Sequence, residues 1–180
     1  MKPYIKSLVF LLAIVAALTG CQATEKISTP RQQGEQLKSK LVLGITENPG
    51  QSRSWTKISE FSADLDTDGG EEKLELLTTA ERDKKGNIAW DDGQNWLLLI
   101  RDGEKFYPLF SEYVQLGSVY FTVAQYGKDD PPKITVMVST GANLKLANYA
   151  YSKDQKGYKE EPVYNSQAIN LLFTSLPDYK

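Results

Sequence analysis

Ile134-Thr135-Val136-Met137-Val138-Ser139 leads through Gly141-Ala142-Asn143 into Leu144-Lys145-Leu146-Ala147-Asn148-Tyr149-Ala150-Tyr151. In the first segment Ile134, Val136 and Val138 alternate with Thr135, Met137 and Ser139, the period of two that belongs to a β-strand. Glycine interrupts the pattern and it then resumes, which reads as strand, turn, strand. Asp154-Gln155-Lys156-Gly157 is a further turn before Tyr158 to Tyr164. Upstream, Val119, Phe121 and Val123 share one side of another alternating run, which ends at Asp129-Asp130-Pro131-Pro132. Short strands with turns every ~8–12 residues are the signature of antiparallel all-β structure.

The reading extends outward from there. Trp96 to Ile100 is a continuous apolar run, as expected of a strand buried on both faces. Asp102-Gly103 is a hairpin signal, with Lys105 to Phe110 as the return strand. Pro108 would put that return strand at a sheet edge or end it, because proline cannot donate to a ladder. Phe61, Ala63 and Leu65 alternate, and Leu74, Leu76 and Leu77 follow, giving two more strands around an acidic loop. Short helices are expected at both ends. Thr29-Pro30 would start one that carries Leu37 and Leu41 and stops at Gly44 and Asn48-Pro49-Gly50; Asn165-Ser166-Gln167 would cap another holding Ile169, Leu172 and Leu176. The expected fold is mainly β, an antiparallel meander or sandwich-like sheet with short terminal helices. An open α+β arrangement is the alternative.

The N-terminus reads as a secretory signal. Lys2 and Lys6 precede an apolar run from Ser7 to Leu18, which is short of the ~20 residues of a comfortable span. Leu18-Thr19-Gly20-Cys21 follows and resembles the bacterial lipobox. That resemblance implies that Cys21 is acylated, becomes the first mature residue and anchors the chain to a membrane on its extracytoplasmic face. Gln22 differs from the Asp associated with inner-membrane retention in Gram-negative cells. Residues 1–20 are thus expected to be a lipoprotein signal peptide, 21–36 a flexible tether of polar residues, Pro and Gly, and 37–180 one β-rich domain.

Cys21 is the only cysteine in the 180 residues, so the domain is expected to have no disulfide. Loss of residues 1–20 takes Lys2 and Lys6 with it and leaves 19 basic against 23 acidic side chains. That balance argues against a nucleic-acid partner, which requires a strongly basic face. No histidine is present, which excludes Ser–His and Cys–His nucleophile systems and histidine-ligated zinc. No glycine-rich phosphate loop is present either.

The candidate site is Asp64-Leu65-Asp66-Thr67-Asp68-Gly69-Gly70-Glu71-Glu72, running on to Glu75. Carboxylates at alternate positions with glycine at the sixth suit a loop that wraps oxygen ligands around Ca²⁺. Counted from Asp64, Glu75 falls at position 12, where an EF-hand places its bidentate acid. The flanks differ from that pattern: Glu71 occupies a position that is normally apolar, and the entering segment has no helical stripe. Ending the ligand set at Glu72 and continuing into a strand resembles the calcium loops of FG-GAP and VCBS-type repeats, the blade loops of integrin-like β-propellers. The resemblance implies Asp64, Asp66, Asp68 and Glu72 as side-chain ligands and the Gly70 carbonyl as a backbone ligand, with Glu75 as a further possibility. It covers the loop and the following strand, not a propeller, which needs at least four blades. Asp91 or Asp92 is a further candidate neighbour of the loop.

These readings lead to an expectation: a membrane-anchored lipoprotein whose calcium-stabilised β domain is a binding or accessory module of the cell envelope, with an envelope protein or glycan as partner and no catalytic residues. Two other classes are a carboxylate-dependent envelope hydrolase and a calcium-responsive regulator.

Overall fold

The apolar run at Trp96 to Ile100 becomes the middle of β4 (Gly93–Asp102), and its two faces explain the architecture. Trp96, Leu98 and Ile100 point into the main core, while Leu97 and Leu99 join Leu77 in a second cluster covered by Trp55 and Phe106. Both faces of this strand are therefore dry, and each buried leucine contributes about 1.5–3 kcal/mol relative to an exposed one. The computed structural model describes residues 38–179. The signal peptide, Cys21, the tether, the Thr29-Pro30 helix start and Leu37 lie outside these residues.

The other strands are β1 (Lys40–Leu43), β2 (Thr56–Ala63), β3 (Glu72–Thr78), β5 (Lys105–Gln115), β6 (Gly117–Ala124), β7 (Lys133–Thr140), β8 (Asn143–Ser152) and β9 (Gly157–Gln167). One sheet has the order β2-β3-β4-β5 and the other β1-β9-β8-β7-β6, and all the pairings are antiparallel. Leu74, Leu76, Trp96, Leu98 and Ile100 of the first sheet form one core with Val119, Ile134, Val136, Ala147 and Tyr158 of the second. The fold is a mainly β, sandwich-like pair of sheets, as the alternation in β7 and β8 predicts.

The turns follow their residues. β4 and β5 pair out to Asp102 and Lys105, and Gly103 takes φ of 55° in the two-residue turn between them. Pro108 sits in β5, an edge strand of its sheet, beside a register shift at Leu98/Leu99. β5 also runs on through Ser111 to Gln115, then crosses to the other sheet at Leu116, which has φ of 48°. On the opposite side of β5, Ile45 and Phe106 exchange backbone hydrogen bonds of 2.9 and 2.8 Å. The segment after β1, which belongs to one sheet, thereby stitches the other.

Among the described residues neither terminal helix expected from the sequence is found. Lys40–Leu43 is a strand paired with β9, because the register lets Val42 bury its side chain in the core. The Asn48-Pro49-Gly50 stop instead starts a single 3-10 turn at Pro49–Gln51, capped by the Asn48 side chain on Gly50 N (2.9 Å). At the C-terminus, Asn165 and Ser166 extend β9 by pairing with β8, and Ala168 (φ 56°) turns the chain out of the sheet. The following residues form no helix, and Leu172 is exposed, so the proposed stripe has nothing to pack against. The tail is held by specific bonds instead: Ile169 N and Leu171 N donate to Ala142 O and Gly141 O, and the Tyr179 hydroxyl donates to Val119 O at 2.9 Å.

Candidate metal centre

The acidic loop joins β2 to β3 at the end of the sheets where the β4–β5 and β8–β9 turns also lie. Leu65 anchors it: this residue is fully buried in the core and sits between the two acids. Thr67 (φ 60°) and Gly69 (φ 94°) then reverse the chain through left-handed conformations. The backbone amides inside the reversal turn toward carboxylates. Asp68 N donates to Asp64 Oδ1 (3.1 Å) and Asp66 Oδ1 (3.0 Å), and Gly69 N donates to Asp64 Oδ2 (3.1 Å). Leu65 N donates to Glu72 Oε2 at 2.6 Å, which pulls the first residue of β3 back over the loop.

Asp64, Asp66 and Glu72 thereby bring one carboxylate oxygen each within 4.8 Å of the others. Asp66 and Glu72 are buried, Glu72 to 2% exposure. Burial is the main reason that the Glu72 carboxyl is pushed up to about 7; the negative charges of Asp66 and Asp102 add to it, and the Leu65 amide opposes it. Asp66 is raised for the same first reason, with Asp68 as the nearest repelling charge. Among the described residues no lysine or arginine forms an ion pair with these three. Lys153, from the β8–β9 turn, reaches the loop but donates to the Thr67 carbonyl (3.2 Å) rather than to a carboxylate.

The other expected ligands are placed differently. Asp68 accepts from Gly70 N (2.7 Å) and stands outside the three-carboxylate group. Glu75 is removed from the loop altogether. It lies one strand step from Leu74 and Leu76, on the opposite face of β3, where Arg101 Nε donates to it and Lys57 approaches. Asp91 and Asp92 precede β4, whereas the loop adjoins the far end of that strand.

The sequence reading missed four contributors to this end of the molecule. Asp102, read only as a turn residue, raises the proton affinity of both Asp66 and Glu72 by its charge. Tyr158 is 1% exposed, its hydroxyl has no hydrogen-bond partner, and Glu72 is the first charge acting on it after burial itself. Tyr107 and Tyr151 pack edge-on against Tyr158, with ring centres at 5.1 and 5.2 Å, and burial pushes the Tyr107 hydroxyl up to about 12. The only sequence signal for Asp102 was its place at a hairpin tip; nothing in the local pattern marked the tyrosines, which arrive from other strands.

The donor set is all oxygen, partly buried and without a protein countercharge, and an unpaired hydroxyl stands beside it. This is the chemistry of a hard divalent cation, which takes six to eight oxygens from carboxylates, carbonyls and water. No protein-family model, no curated protein and no solved structure matches this chain.

Proposed function

We propose that this chain is a lipid-anchored extracytoplasmic lipoprotein whose β domain is held in shape by one Ca²⁺ and serves as a binding or accessory module of the envelope, not as an enzyme. The convergence of Asp64, Asp66 and Glu72 within 4.8 Å, two of them buried and none paired with a cation, carries the calcium reading. Buried like charges are costly unless protonated or neutralised. A bound calcium ion supplies the +2 charge that offsets them. The anchor rests on Leu18-Thr19-Gly20-Cys21 after a basic and then apolar start.

Melting the full chain in detergent, with millimolar calcium and with chelator, tests the site. At a hundredfold excess over Kd the ion adds about 2.7 kcal/mol, a rise of roughly 5–10 °C in Tm. Equal melting temperatures would end the calcium reading. For the anchor, Cys21→Ala should abolish fatty-acid labelling and move the chain out of the membrane fraction; a variant that stays membrane-bound overturns it.

A further inference from the structure

The end of the sandwich away from the acidic loop holds a cavity of about 710 Å³, where β4 and β8 begin and β5 ends. We propose that it is a binding site for a neutral, polyhydroxylated ligand of sugar size. Its depth is set by Gln94, which is 8% exposed and two residues before Trp96 on the core-facing side of β4. The Gln94 side chain lines the cavity, and its amide carries two donors and an acceptor. Ser139, 9% exposed, lines the same cavity from the other sheet. An amide and hydroxyls that both donate and accept match a partner that does the same, which is the property of a sugar hydroxyl.

The walls supply the other half of sugar recognition. Trp90 stacks on Trp96 at 5.6 Å and 17°, and Tyr120 stacks on Tyr179 at 5.2 Å and 22°. Trp90 keeps 41% of its surface open, and its indole N–H is fixed on the Tyr179 carbonyl at 3.3 Å. The ring is therefore held in place before anything binds, which lowers the cost of association. Its electron-rich face suits the polarised C–H groups of a sugar ring. Among the described residues no lysine or arginine lines the cavity, while Asp91 and Asp178 do, which disfavours phosphates and carboxylates. The volume lies within the ~300–1,000 Å³ of small-ligand sites.

The full chain, kept in a polyoxyethylene alkyl ether so that no sugar detergent competes, is titrated with cellobiose, maltose and N,N′-diacetylchitobiose. Tryptophan fluorescence and saturation-transfer NMR report binding; glucose 6-phosphate and choline are the charged controls. At least one disaccharide is expected to bind with millimolar or tighter Kd, with both controls weaker. Gln94→Leu and Trp90→Ala should each weaken it by about tenfold or more. Gln94→Leu is decisive, because it roughly keeps the volume and removes only the amide; its melting temperature and calcium response should stay at or above those of the parent chain. The proposal fails if no disaccharide binds, if choline or the phosphate binds in their place, or if Gln94→Leu binds as tightly as the parent. None of these outcomes depends on calcium: binding should persist in chelator below the melting temperature, and a failed calcium test leaves it standing.

Discussion

The two ends of the sandwich differ in how their polar groups are satisfied. At the acidic end, short turns from both sheets close over Asp66 and Glu72, and the negative charge there is left without a protein partner. At the other end the β3–β4, β5–β6 and β7–β8 connections and an irregular tail line a cavity, and its most buried polar side chain is the neutral Gln94. One end is short of a positive charge, and the other presents a neutral amide to a cavity. A single β4 strand carries both demands, with Asp102 at one terminus and Gln94 near the other. Sheet structure fixes spacing well, and what each end recognises is decided by the few side chains that the strand leaves unpaired.

The largest effect should come from the part the ends share. Leu98→Ala, at a fully buried position in mid-β4, should cost about 2–5 kcal/mol and lower one cooperative melt. If tryptophan fluorescence, which watches the cavity end, and calcium affinity, which watches the other, lost their signals at separate temperatures, the two ends would not be one cooperative unit. Next, Glu72→Gln should remove most of the calcium-dependent rise in Tm and leave the chelator-treated protein as stable as the parent or more so at pH 8. A retained calcium response would take Glu72 out of the ligand set.

The pH dependence without cation should be smaller and of definite sign. The native Glu72 pKa of about 7 lies above its ordinary 4.5, so between those values the native state binds more protons than the unfolded chain. Ion-free stability is then full below about pH 4.5 and falls as pH rises through 7, by up to about 3 kcal/mol. With calcium bound the fall should disappear, and the gap between the two melting curves should widen from pH 5 to 8. A chelator-treated protein whose Tm rises over that range would contradict the burial argument. The smallest effect is expected from Asp102→Asn, which should weaken calcium several-fold, about 1 kcal/mol, with no change in disaccharide binding by the titration above.

Much of the sheet structure was legible because its signal is local. Ile134/Val136/Val138 and Leu144/Leu146 declare their period within a few residues, and Asp102-Gly103 declares a turn by itself. The double burial of β4 was legible too, since Trp96 to Ile100 leaves no polar face. The helices were misread because Asn165-Ser166-Gln167 looks like a cap in isolation; pairing with β8 outweighs a short stripe whose Leu172 finds no surface. At the acidic loop the sequence singled out the stretch in which three carboxylates converge but not which acids they are. Asp64 and Asp66 are near in sequence, yet Glu72 joins them only through the Leu65 amide, and Glu75 is turned away by the two-residue period of β3. Asp102, Tyr158 and the Gln94 cavity are assembled from distant strands and have no local pattern to read.

The pairing of β1 with β9 bears on how the chain folds. Lys40 lies opposite Glu160 and Leu43 opposite Gly157, so the first strand described meets the last. Hairpins such as β4–β5 and β7–β8 close over a few residues, whereas this pair must close a loop of over a hundred, and such non-local contacts are slow. While the chain is synthesised, β1 has no partner until β9 follows it. Pulsed amide exchange during refolding should therefore find β4 protected early and β1 last; early protection of β1 would reverse that order. The short opening strand is the latch of the domain, and everything between it and β9 must be in place before it can shut.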